Sequence, residues 1–213
     1  MKRPAGFLFI ALSVLAAGGC AKDTALERIN HEQAATIQGL NQELKRVNSE
    51  LDEVMASRSD FEKAKAEVEK SLEKEMAGGG LSVGLESRGL VVTVLDRLLY
   101  DSGRAVLKAS SLATLDKLVV ILQSELRENM VYVEGHTDND PIRMSAWRSN
   151  WELSMARAAE VVHYFIETGQ LNPKRLAATG YGEFHPVVEN RSPETKSQNR
   201  RVEIVVSPKK VTE

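Results

Sequence analysis

The stretch VEGHTDNDP, Val133 to Pro141, follows a run of strand-like residues and gathers Gly135, His136, Thr137, Asp138 and Asp140 within six positions. Such a cluster could ligate a metal, move protons or grip a charged ligand. The chain has four histidines, His31, His136, His163 and His185. His136 and Asp138 are two apart, not at the i, i+4 spacing by which a helix presents two ligands, and no HExxH occurs. A single Cys, Cys20, excludes a multi-cysteine zinc site and an internal disulfide framework. No metal and no cofactor is read from these residues. No GxSxG turn is present for a serine hydrolase, and Asp138 has no carboxylate partner that the sequence places for glycosidase chemistry. The chain reads as a non-enzyme, with a hydrolase kept as the opposing class.

Ligand gripping fits better. Asp138 lies just past a strand end, in a loop that leads to a helix, where a rigid scaffold commonly places binding residues. That helix carries Leu153 and Arg157, four apart and on one face. A carboxylate and a guanidinium at short range suit a zwitterion: the carboxylate takes an ammonium, and the guanidinium takes a carboxylate through two parallel hydrogen bonds. Spacing alone equally allows an internal Asp138–Arg157 salt bridge with no ligand.

The elements that must position these residues are legible in outline. LSVGLESRGLVVTV reads as a hairpin turning at Ser87–Arg88–Gly89, and Leu112, Leu115, Leu118, Val119, Leu122 and Leu126 have helical spacing. MVYVEG reads as a strand. SNWELSMARAAEVVHYFIETG reads as a helix, with a capping box of Ser149 and Glu152 and a stop at Gly169. RLAATGYG and RRVEIVVSP supply two more strands. The expected fold is an α/β (α+β) two-layer sandwich, a small mixed sheet with helices on one face. Trp151 and Tyr181 read as packing aromatics.

A long coiled-coil helix is expected before this domain. With Ile37 at heptad position a, Leu44, Leu51 and Leu72 also fall at a, and Leu26, Leu40, Val47, Val54, Phe61 and Val68 at d. The seam predicts a parallel homo-oligomer, on a helix reaching roughly 75 Å at 1.5 Å per residue. Gly78 to Gly80 reads as a helix stop and a flexible hinge. The expected organisation is a signal peptide over 1–19, a lipidated N-terminus and spacer over 20–77, the hinge over 78–80, and the globular domain over 81–213.

The 213 residues are 42% hydrophobic and 27% charged, with a net charge of −2. No lysine- or arginine-rich block occurs, so no nucleic-acid partner is expected. MKRPAGFLFIALSVLAAGGC has a charged start, a short apolar run and small residues, the pattern of a secretory signal. A membrane-spanning helix wants ~20 apolar residues, about twice this run. AAGGC resembles the lipobox of bacterial lipoproteins, with Ala17 where Leu is common; the opposing reading is a plain signal with an incidental Cys. The resemblance implies lipidation at Cys20. Ala21, in place of the Asp that the enterobacterial sorting rule reads as inner-membrane retention, implies the periplasmic face of the outer membrane.

From about Tyr100 to Val206 the chain resembles the OmpA-like peptidoglycan-binding domain family. The matching stretches are YDSGRAVLKASSLATLDKL, VYVEGHTDNDP, SNWELSMARAAEVV, GYGEFHPV and NRRVEIVV, in the family's order. The insertion between HTD and SNWELS resembles the MotB-type wall-binding domain. The resemblance implies non-covalent binding of the diaminopimelate of a peptidoglycan stem peptide, with Asp138 and Arg157 holding its two ends. It places Tyr100, Asp101, Thr137 and Leu153 in the same pocket, and Asn199 and Arg200 at its rim. It stops short of a stator, because Phe7 to Cys20 contains no acidic residue and is too short to span a membrane. The expected role is a lipid-anchored tether between outer membrane and wall. A MotB-like flagellar or secretion-apparatus component is the alternative.

Overall fold

The computed structural model describes residues 9–143 and 146–208, with residues 9–24 and Glu53 described by backbone alone. Most of the expected signal peptide's start therefore lies outside the described residues, and Cys20 enters only as a backbone position in a helix. The chain divides into two units, one ending at Asp52 and one running from Glu53.

Helix α1 (Phe9–Ser71) supplies the first unit. Its apolar stripe is uncovered: Ile37, Leu40, Leu44 and Leu51 each remain more than half exposed. Arg46 bonds along the helix surface to Glu43 at 3.1 Å and Glu50 at 2.7 Å.

The second unit is the expected two-layer sandwich. Strands β1 (Leu81–Glu86), β2 (Gly89–Leu95), β3 (Val131–His136), β4 (Leu176–Gly180) and β5 (Arg201–Val206) form one sheet in the order β1-β2-β5-β3-β4. Only β3 and β4 run parallel, joined by a crossover through helix α5 (Asn150–Glu167); the other pairs are antiparallel. Alternate residues of the three central strands, among them Val92, Val94, Val131, Val133, Val202 and Ile204, bury one face against α5 and helix α4 (Ala109–Ser124). Short helices α2 (Glu73–Ala77), α3 (Asp96–Leu99) and α6 (Pro193–Asn199) complete it. Ser149 caps α5 through the Glu152 N–H, but the Glu152 carboxylate takes the Arg148 N–H, so the box is only half made.

Two glycines set how close α5 lies to the sheet. Gly135 of β3 and Gly180 of β4 are register partners. A Cβ on Gly135 would lie 2.1 Å from the Ser154 carbonyl oxygen, and one on Gly180 would lie 2.5 Å from the Met155 nitrogen. Both contacts are with helix backbone, which cannot swing aside, so only glycine permits this approach.

The expected boundary at Leu81 and the flexible hinge are corrected. Phe61, Ala64, Val68 and Leu72 of the supposed spacer are buried in the domain core, so the globular unit includes the end of α1. The glycines are clamped: the Gly80 carbonyl accepts from Leu95 N–H at 2.8 Å, and Arg97 Nη2 donates to the Gly78 and Gly79 carbonyls at 2.9 and 3.0 Å. The period-3.5 stripe therefore changes partner along its length.

Leu72 is fully buried. Leu72→Ala in the whole chain is expected to cost about 2–5 kcal/mol of the domain's unfolding free energy by chemical denaturation, as core truncations do. A loss below about 1 kcal/mol would return α1 to the role of a mere spacer.

Candidate ligand cleft at the end of a central strand

An open cleft of about 610 Å³ lies beyond the C-terminal end of β3. Its floor is built from α3, the β3–α5 loop and the first two turns of α5, with Arg200 after α6 at one wall. The loop is fixed by its own backbone: Thr137 N–H donates to the Gly182 carbonyl at 2.9 Å. Asn150, at the start of α5, donates to the Asp140 carbonyl at 3.0 Å and to Glu183 at 2.6 Å.

Asp138 and Arg157 both line this cleft and both are buried. They are not each other's salt-bridge partner. Arg157 Nη2 sits 3.1 Å from Asp96 Oδ1, and its Nε donates to the Arg104 carbonyl at 2.9 Å. Its guanidinium lies 5.1 Å over the Tyr100 ring, whose hydroxyl donates to the Arg157 carbonyl at 2.7 Å. Asp138 pairs with Arg200 through Oδ2 and accepts from Asp140 N–H at 3.1 Å through Oδ1. Arg200 Nε is also 4.0 Å from Asp96. The charges form a chain, Arg157–Asp96–Arg200–Asp138, with Asp96 in its middle.

Asp96 is a buried cleft residue that sequence reasoning missed. Burial pushes its carboxyl up to about 6, against the pull of Arg157 and Arg200. Its Oδ1 has a charge partner but no hydrogen bond, so the pair with Arg157 is loose. Thr137 Oγ1 is likewise buried with no hydrogen-bond partner among the described residues. Both atoms belong to residues that line the cleft.

The remaining expectations sort cleanly. Tyr100, Asp101, Thr137, Leu153 and Arg200 all line the cleft, Asp101 at its rim 3.4 Å from Lys108. Asn199 does not. It is fully buried, and its amide clamps the loop at 187–190, accepting from Val187 N–H at 2.9 Å and donating to the Val188 carbonyl at 2.8 Å. Its rim assignment is corrected to a structural one. The cleft carries four carboxylates, Asp96, Asp101, Asp138 and Asp140, against five cations, Arg97, Lys108, Arg143, Arg157 and Arg200. That near balance favours a zwitterion over a polyanion.

A cleft of mixed charge thus lies at the end of a central strand, against the first turns of a closely packed crossover helix. Residues 99–200 match the OmpA family, and the chain carries an OmpA-family domain. It is 34% identical over 158 residues to Motility protein B of Bacillus subtilis (strain 168), covering 74% of this chain and 60% of that protein. It is 32% identical over 140 residues to the Probable lipoprotein YiaD of Escherichia coli (strain K12), covering 66% and 61%. Thus the chain spans about three fifths of the length of these curated relatives. Among solved structures, a putative MotB like protein from Desulfovibrio vulgaris superposes with a TM-score of 0.66 at 25% identity, covering 74% of this chain and 98% of that one. The cell wall anchor of the T6SS from Pseudomonas aeruginosa gives 0.60 at 31% identity, covering 67% and 97%.

Asp96 has a definite pH signature. With its folded pKa raised to about 6 from 3.8, its contribution to stability is fully present below pH 3.8 and is lost as pH rises through 6. Asp96 is faced by Arg157, Arg200, Lys108 and Asp138. Asp96→Asn is therefore expected to gain in stability relative to wild type between pH 4 and 6, measured as the difference of two denaturation series. A constant difference across the window would show that Asp96 does not titrate there.

Proposed function

We propose that this domain binds the stem peptide of peptidoglycan without covalent chemistry, and that the ligand is the zwitterionic end of diaminopimelate. The observation that carries the reading is the pair of buried, oppositely charged side chains, Arg157 and Asp138, lining one open cleft while each is held by a different internal partner. A ligand carboxylate exchanges with Asp96 on Arg157, gaining two parallel hydrogen bonds where the internal pair is misaligned. The ligand ammonium takes over Asp138 from Arg200, whose side chain is more than a third exposed and can turn to solvent. Thr137 Oγ1 supplies a further hydrogen bond, Tyr100 keeps the Arg157 backbone and guanidinium in place, and Leu153 forms an apolar wall. The solved wall anchor at 31% identity supports a wall ligand.

The whole protein, on this reading, tethers the outer membrane to the wall, with lipid on Cys20 and with α1 as the connecting element. Similarity to a probable lipoprotein supports the anchor. A MotB-like component of a flagellar or secretion apparatus is the second reading, favoured by similarity to a motility protein. Among the described residues no helix is long and apolar enough to cross a membrane. Sensitivity of N-terminal processing to a lipoprotein signal-peptidase inhibitor, with fractionation to the outer membrane, separates the two.

Binding is tested by co-sedimentation of the chain with purified peptidoglycan. Asp138→Asn and Arg157→Lys, which keep size or charge but remove the paired hydrogen bonds, are each expected to weaken binding about tenfold to a hundredfold, the range for charge-assisted bonds. Unchanged binding in both variants, with unchanged circular dichroism, would remove the cleft from the function.

The exposed seam of α1 is proposed to close a parallel homo-oligomer. Sedimentation equilibrium is expected to give an oligomer for wild type and a monomer for a Leu40→Asp, Leu44→Asp double variant. A wild-type monomer at tens of micromolar would exclude the coil.

A further inference from the structure

The sheet face turned away from α4 and α5 carries a second polar cluster that shares no lining residue with the ligand cleft. Glu134 and His136 are two apart on β3, so they share this face. Glu203 on β5 is the register partner of Glu134. All three are buried: His136 is 4% exposed, Glu203 6% and Glu134 8%. One oxygen from each carboxylate and one imidazole nitrogen lie within 4.8 Å of one another. A pocket of about 390 Å³ opens over them, walled by Tyr181 and His185.

The two carboxylates and the imidazole are satisfied unequally. Arg88, from the β1–β2 turn, bridges Glu134 at 2.7 Å and Glu203 at 2.8 Å. The second Glu203 oxygen takes Arg201 Nε at 2.6 Å. His136 stacks on the Tyr181 ring at 5.2 Å, yet neither of its ring nitrogens has a hydrogen-bond partner among the described residues. A buried polar group left bare costs free energy, and such groups commonly mark a missing ion or water. Burial first, and Arg201 next, hold the imidazole pKa down to about 4, so its lone pair is available at neutral pH.

We infer that Glu134, His136 and Glu203 form a binding site for a divalent transition ion of the zinc type, with Arg88 as the displaceable cation that fills the carboxylate pair in its absence. One nitrogen and two oxygen donors are a set zinc accepts, whereas calcium and magnesium prefer oxygen alone. Zinc–ligand distances of about 2.0–2.2 Å require the three atoms to draw in from their present spread. Water entering the pocket completes the coordination. Arg88 sits on a turn with 43% of its side chain exposed, so it can leave for solvent without opening the core. The exchange puts two positive charges where one stood between two carboxylates. It also gives the bare imidazole a partner, which the arginine does not. Arg201 remains beside Glu203 and opposes the ion, which sets the affinity below that of a three-ligand site with no adjacent cation.

The test is titration of the whole chain with zinc chloride alone, followed by calorimetry, with cobalt(II) as a spectroscopic substitute that reports nitrogen ligation. Wild type is expected to bind one equivalent. Glu134→Gln and His136→Asn are each expected to weaken it at least about tenfold, as loss of a ligand or its support does. Arg88→Gln removes the competing cation and is expected to tighten binding about tenfold or more, since neighbouring charges at this range interact by several-fold RT. Asp138→Asn, in the other cleft, should leave zinc affinity unchanged. Absence of saturable binding in both wild type and Arg88→Gln would overturn the site. So would equal affinity in wild type, Glu134→Gln and His136→Asn, which would place the ion on other histidines. Should His136→Asn fail to fold, Glu134→Gln and the Arg88→Gln gain decide alone.

Discussion

The guanidinium of Arg157 is the group around which the domain's polar architecture is arranged. It is 3% exposed, and an arginine cannot shed its charge to escape burial. Three groups beside it answer that charge: the Asp96 carboxylate, the Arg104 carbonyl and the face of Tyr100. Those three groups lie on α3 and in the loop that follows it, so one buried cation brings both to α5. A hydrophobic residue would fill the same volume at lower desolvation cost, because a buried ion pair rarely adds net stability. The arrangement is therefore better understood as holding a cation ready at the cleft than as holding the fold together.

The same device recurs on the other side of the sheet with the opposite balance. Near the cleft, Arg200 stands between Asp138 and Asp96; on the far face, Arg88 stands between Glu134 and Glu203. Each is a partly exposed arginine bridging two carboxylates that the fold buries. Removing either arginine would leave like charges facing each other in a poorly solvated place. A mobile cation on a long stem answers that repulsion and can still step aside for a ligand that supplies positive charge more favourably.

The sequence made the cleft partly legible. Asp138 and Arg157 could be found because one ends a strand whose alternation is plain and the other lies on a helix with clear caps. Tyr100, Thr137 and Leu153 were assigned to the pocket only through the family resemblance. Asp96 was hidden because LDRLLYD gives no period of two or of 3.6 over so few residues, and its partners lie far along the chain. Asn199 and Arg200 are adjacent and both polar, yet one turns inward to a loop and the other outward to the cleft. That choice is made by the exit geometry of α6, which the letters do not carry. The His136 cluster was missed because a search for helical ligand spacing does not test a strand, where residues two apart share a face and the third member depends on the β3–β5 register.

The heptad stripe of α1 shows why a pattern specifies a need for burial but not its partner. Phe61, Val68 and Leu72 occupy the same a and d positions as Leu40, Leu44 and Leu51, and no composition change separates them. The first three are buried in the domain core, and the last three are more than half exposed. A helix face packed on a sheet and a helix face packed on a second helix need nearly the same spacing, since 3.5 and 3.6 residues per turn drift apart only ~20° per heptad. Over two heptads the difference is too small to read. What distinguishes the exposed part is that it continues for several heptads, long enough for supercoiling to matter, and carries Arg46 with acidic neighbours on its outer surface. A coil closed by that part would hold several clefts on one assembly. Each would then meet the wall at a concentration set by its neighbours, so a weak exchange of internal for external charge partners at a single cleft would suffice for a durable attachment.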